Sequence, residues 1–251
     1  MNFKGRVLAV LVGAALLATV STTAAYPTTT AGRIFYALRA DGTIVSFDPA
    51  SPGVVTEIPV YPPAGEAIVS IDLRSTGELY ALTDRGTLFR VAPNVGLRHP
   101  VGASPILLVS GQARVDLDPD PEVVRLVTTD GQDYVFDPDT GEVESAVSGS
   151  STAKLAASFG AASLGGVRYI LDPREDVLLA EPGPGLVGGL GTDFNAPGAF
   201  DIAEESQEAF AVAIPDGETG SWLYSIDLES GKAEPLGEIG GFLAVVDLAA
   251  G

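Results

Sequence analysis

IFYALRADGTIVSFDP, residues 34–49, decides the fold, because the chain repeats it. LYALTDRGTLFRVAP follows at 79–93 and VRLVTTDGQDYVFDP at 124–138. A worn copy, VRYILDPREDVLLAEP, spans 167–182, and AFAVAIPDGETGSWLYSIDL spans 209–228. The last residues of the copies, Pro49, Pro93, Pro138, Pro182 and Leu228, step by 44, 45, 44 and 46 residues. Self-similarity at such a period is the signature of propeller blades. A β-sandwich, the competing all-β fold, requires no such period.

Working outward from each copy, a second recurring segment precedes it: IVSIDLR (68–74), ARVDLDP (113–119), GAFDIAE (198–204) and LAVVDLA (243–249). In the fourth unit the matching stretch is KLAASFG (154–160), where Ser158 stands in for the Asp. These runs are apolar at nearly every position, as strands buried on both faces are. They are assigned to the innermost strand of each blade. A polar outer strand follows each copy, as in VVTEIPV (54–60), GEVESAV (141–147) and KAEPLGE (232–238). The first copy has no inner strand before it, and LAVVDLA has no strands after it. The two should pair, so that the C-terminal strand closes the first blade and leaves only short edges. The expected fold is therefore all-β: a single propeller of five four-stranded blades over residues 33–251. Asp41-Gly42, Asp130-Gly131 and Asp216-Gly217 mark the hairpins between second and third strands.

Residues 1–25 read as a secretory signal peptide. Lys4 and Arg6 precede an apolar run, Val7 to Val20, that is short for a membrane span. Thr22-Thr23-Ala24-Ala25 suits cleavage before Tyr26, leaving 26–32 as a short N-terminal tail. No second apolar span follows, so the mature chain is expected to be soluble, monomeric and either secreted or periplasmic. The full chain's net charge of −19, from 33 acidic and 14 basic side chains, argues against nucleic acid or an anionic membrane as partner. With no cysteine, the chain has no disulfide, thiolate nucleophile or thiolate zinc site.

Asp72, Asp116, Asp201 and Asp247 recur on the inner strands and should sit at one level of the ring. Carboxylates converging there repel one another unless a cation or hydrogen-bond donors compensate. Calcium takes such oxygen ligands, so these four are the candidate metal residues and calcium the candidate cofactor. The alternative is that each Asp accepts backbone N–H bonds within or between blades, with Arg74 and Arg114 supplying counter-charge. Asp116-Leu-Asp118-Pro-Asp120 has the opening spacing of a calcium loop. However, Pro121 stands where glycine is needed and Val127 where glutamate is, so it reads as a turn. Gly183-Pro-Gly185-Leu-Val-Gly188 matches a dinucleotide fingerprint, yet no helix pattern follows, so it reads as a loop and outer strand. Gly231-Lys232 lacks both the Ser/Thr and the preceding Gly of a phosphate loop, so it reads as a turn. His99 is the only histidine, placed on an outer strand, which leaves no basis for a histidine-dependent triad. Tyr36, Tyr80, Tyr169, Phe210 and Trp222 occupy strand positions that suit packing between blades better than a sugar-stacking platform.

In order and spacing, SIDLRSTGELYALTDRGTLFRVAP, DGQDYVFDPDTGEV and SWLYSIDLESGKAEPLGEIGGFLAVVDLA together resemble the exported bacterial family called domain of unknown function 4394. The resemblance covers about residues 33–249. It departs at the worn fourth unit and at Val91-Ala92-Pro93, where Asp is expected. It implies an extracytoplasmic propeller and brings no activity and no catalytic residues. The expected function is a non-enzymatic binding or interaction module for an extracellular protein or glycan. The alternative is a cation-dependent hydrolase or lyase acting on an extracellular polymer through the axial carboxylates.

Overall fold

The computed structural model describes residues 33–102, 113–119, 122–148, 160–241 and 243–251. They form twenty strands and, among the described residues, no helix. Blade 1 contains β1 (Phe35–Arg39), β2 (Ile44–Phe47) and β3 (Val55–Ile58). Blade 2 contains β4 (Ile68–Leu73), β5 (Leu79–Thr83), β6 (Leu88–Ala92) and β7 (Leu97–Pro100). Blade 3 contains β8 (Ala113–Pro119), β9 (Glu122–Thr128), β10 (Gln132–Phe136) and β11 (Val143–Ser148). Blade 4 contains β12 (Gly160–Leu164), β13 (Val167–Asp172), β14 (Val177–Glu181) and β15 (Gly185–Gly189). Blade 5 contains β16 (Phe194–Ile202), β17 (Ala209–Pro215), β18 (Trp222–Ile226) and β19 (Ala233–Glu238). The last strand, β20 (Val245–Ala249), completes blade 1, whose order is β20-β1-β2-β3.

All five sheets are four-stranded antiparallel meanders. The C-terminal strand closes the first blade as expected, with Ala37 opposite Leu248 and Leu38 opposite Asp247. Neighbouring inner strands touch all the way round, in the order β4, β8, β12, β16, β20 and back to β4. This ring follows from the sequence pattern: an inner strand with apolar side chains on both faces must have a sheet on each side of it.

The core lies between blades. Phe35 of blade 1 meets Phe210 of blade 5 edge to face, with ring centroids 4.7 Å apart, a geometry favourable beyond its area burial. Tyr80 of blade 2 is fully buried and donates its hydroxyl hydrogen to the Pro138 carbonyl of blade 3. Phe210 and Tyr36 are buried, and Tyr169 and Trp222 pack against the blade 4–blade 5 core. The repeated aromatics thus serve packing between blades. The seam between blades 3 and 4 has the smallest core among the described residues. There Val127 and Ile170 are buried, with Ala161 and Leu179 beside them.

One strand differs from its expected place. The inner strand of blade 4 is Gly160–Leu164, beginning where the expected 154–160 ends. The reason is turn chemistry: Leu164 pairs with Val167 across Gly165-Gly166, both at positive φ (58° and 78°). Such a two-residue hairpin needs left-handed residues at both positions. Its polar residue is Ser163, and Ser158 lies outside the described residues. The Gly183–Gly188 segment is a turn entering β15, as expected, and His99 is exposed on β7, the outermost strand of blade 2. The β8–β9 connection at 120–121 lies outside the described residues.

Candidate functional site

The four inner-strand aspartates converge. Asp72, Asp116, Asp201 and Asp247 line one axial pinhole together with Arg114 and Gly160. Its volume is about 10 Å3, roughly the space of one water. All four are buried.

Each carboxylate also reaches the next blade. Asp72 on β4 accepts the Leu117 N–H of β8 at 2.5 Å and its neighbour Leu73 N–H at 2.7 Å. Asp116 on β8 accepts the Ser163 hydroxyl of β12 at 3.0 Å. Asp201 on β16 accepts the Ala250 N–H at 2.6 Å and the Ile202 N–H at 2.7 Å. Asp247 on β20 accepts the Ser70 hydroxyl at 2.5 Å and the Ile71 N–H at 2.9 Å, both from β4. Ser70 in turn accepts the Val115 N–H at 3.0 Å, which extends the chain of bonds to β8. Inner strands bury their backbone, and an amide that finds no ladder partner needs an acceptor. The aspartates supply it, and they do so directionally, each clasping the blade that follows in the ring.

Blade 4 has no such aspartate. At its junction with blade 5, Gly160 lies against Phe200 of β16 so closely that a Cβ would sit 2.7 Å from the Phe200 nitrogen. Where the clasp is missing, backbone meets backbone.

Counter-charge at the axis comes from Arg114, whose Nη1 lies 2.9 Å from Asp247 Oδ1. The same guanidinium donates to the carbonyls of Val246 and Gly198. Arg74, the other expected counter-ion, pairs instead with Asp139 at 3.0 Å and Glu78 at 3.2 Å. Among the described residues, Arg114 faces four carboxylates, and one guanidinium does not neutralise four. Burial, reinforced by the charges of Asp201 and Asp116, holds the Asp72 carboxyl well above the ordinary range. Burial pushes Asp201 up to about 7, against the opposing pull of the Ala250 amide. Burial also raises Asp247, with Arg114 pulling the other way. Among the described residues, no group of three or more His, Asp or Glu side chains is arranged to hold a metal ion.

Two wider clefts lie off the axis. One of about 650 Å3 separates blades 5 and 1 and is bordered by Arg33, Gln207, Ser225, Lys232, Glu234 and Leu236 among others. A second, about 300 Å3, lies between blades 1 and 2 beside Tyr61 and Glu66. Sequence reading found neither, because each is shaped by how neighbouring blades pack and not by any single motif. The signal available was Gln207 in a turn where its siblings carry glycine.

With the fold and axis described, residues 43–249 match the family described as Domain of unknown function (DUF4394). The chain belongs to this family. This member of DUF4394 is a five-bladed ring clasped by inner-strand aspartates. Solved structures are similar to it in part. A protein of unknown function from Bacteroides caccae is 10% identical, with TM-score 0.46, covering 87% of this chain and 98% of that one. A protein from Lactobacillus plantarum is 19% identical, with TM-score 0.43, covering 86% and 71%. A putative 6-phosphogluconolactonase from Bacteroides fragilis is 14% identical, with TM-score 0.41, covering 89% and 72%. The lactonase name belongs to that protein. No curated protein matches the sequence.

Proposed function

We propose that this DUF4394 chain is an exported, non-catalytic binding module whose ligand, an extracellular glycan or protein, docks between blades and not on the axis. The observation that carries this reading is the state of the axis. Its opening is about 10 Å3, and three of the four carboxylates around it accept backbone amides from within or beside the ring. A polymer has no room there, and an acid or base tied to structural amides is poorly placed for proton transfer. Export is supported by the signal-like residues 1–25, and a monomer by outer strands of only four to six residues.

The test incubates the mature protein with a panel of polysaccharides and extracellular proteins and reads retention and reaction products together. Retention without new reducing ends or unsaturated products is the expected result. Turnover that disappears in Asp72→Asn would contradict the reading. Expression of the full chain with its own N-terminus should yield a mature protein beginning at Tyr26, and an unprocessed cell-retained chain would contradict export.

A second reading has one observation in its favour: all four carboxylates share a single pinhole. A calcium ion there would neutralise them and tie the ring, the arrangement a cation-dependent hydrolase or lyase would use. A chelator-sensitive melting temperature is its test.

A further inference from the structure

We propose that the cleft between blades 5 and 1 binds a neutral saccharide, with Gln207 as a specificity-determining residue; this rests on the reading of the chain as a binding module. Its volume, about 650 Å3, falls within the range of small-ligand sites.

Gln207 is the first observation. It has φ = 59°, in the left-handed region. Its turn runs from Ala203 to Glu208: the Gln207 N–H donates to the Ala203 carbonyl, and the Ala203 N–H to the Glu208 carbonyl. The turns at 137–142 and 227–232 have the same two bonds, from Gly141 to Asp137 and from Gly231 to Asp227 at the tight end. In both of those, glycine occupies the left-handed position, with φ of 67° and 80°. Glycine adopts that conformation at little cost, whereas a residue with a Cβ is strained there. The chain therefore keeps a carboxamide at the border of this cleft in a turn that favours glycine.

The second observation is the charge pattern. Arg33 is already engaged: it pairs with Glu208, donates to Ser206 Oγ at 2.7 Å and to the Gly251 carbonyl at 3.0 Å, and lies over the rings of Phe35 and Phe210. Asp227 accepts the amides of Glu229 and Ser230. Among the described residues, no hydrogen bond or ion pair engages the side chains of Gln207, Ser225, Lys232 and Glu234. Those four comprise an amide, a hydroxyl, an ammonium and a carboxylate, with no net charge and a balance of donors and acceptors. Glu234 and Leu236 of β19 both border the cleft, and Pro49, Leu228 and Leu236 add apolar wall. A ligand with many hydroxyls and C–H faces, and without charge, matches this lining. An anion would meet Glu234, and a cation would meet Lys232.

The experiment titrates the full chain by calorimetry with neutral cello-, malto-, xylo- and chito-oligosaccharides, with oligogalacturonate and with acidic and basic peptides. At least one neutral oligosaccharide is expected to bind, and Leu236→Arg, an exposed position, to abolish binding without altering the melt. Gln207→Gly is expected to raise Tm by about 2–4 °C while weakening that saccharide about tenfold. Unchanged affinity in a stabilised Gln207→Gly protein would remove Gln207 from the site. A charged ligand that binds and is lost in Leu236→Arg, with no neutral saccharide binding, would overturn the saccharide class and leave the binding-module reading standing. No binding by any probe, with a polymer-cleaving activity found instead, would overturn both.

Discussion

Asp201 has both oxygens occupied by amides, from Ala250 and Ile202, and still holds its proton to about pH 7. Its carboxyl is therefore protonated more readily in the fold than in the unfolded chain, where the ordinary value is 3.8. A group raised in this way stabilises the fold fully below the unfolded value and loses that contribution as pH rises through the folded one. Asp72 and Asp247 shift in the same direction. The melting temperature should accordingly rise on acidification from pH 8 to pH 5, and Asp201→Asn should flatten much of that slope. A wild-type melt unchanged over that interval, or a variant with the full slope, would be the contrary result. A second residue-scale outcome concerns Gly160. Its Cβ-less contact with the Phe200 backbone means that Gly160→Ala should cost about 1–3 kcal/mol in urea unfolding, the usual range for overpacking. The four aspartates were legible in the sequence because the repeat marks their level. Ser163 was not, because Lys154 to Gly160 carries the same apolar pattern as an inner strand. Only the Gly165-Gly166 hairpin, read as a two-residue turn, identifies the strand that β13 pairs with.

Among elements, β20 carries the most. It supplies the inner strand of blade 1, buries Leu248 against the blade 1–blade 5 core and positions Asp247 against β4. Deleting residues 245–251 removes all three and exposes the edge of β1. The deletion should leave a protein that aggregates or melts without a cooperative transition, and a near-native cooperative melt would show that closure matters little. The weakest seam is also an element-scale matter. Between blades 3 and 4 the described core is Val127 and Ile170 with two partly buried neighbours. Local opening follows low apolar burial, so amides of β9 and β12 should exchange faster than those of β5 and β17. Strand phase and closure could be read beforehand, because they follow from counting the repeats. The blade seams could not, since their contacts join side chains from different repeats and no single repeat contains them.

At the scale of the whole molecule, a chain of net charge −19 without cysteine holds a ring together by burial and strand pairing. It also buries four of its carboxylates at the centre of that ring. Burying acid is costly unless donors or protons compensate, and here backbone amides, two serine hydroxyls and Arg114 fill that role. The clasps are thus part of what closes the ring. The most direct measurement is calorimetric melting of the mature protein at pH 7.5 in EDTA, in buffer alone and in millimolar calcium chloride. Clasps made by amides, hydroxyls and arginine predict the same melting temperature in all three, whereas a fall of several degrees in EDTA that calcium reverses would show that a cation, and not the ring's own donors, holds the axis.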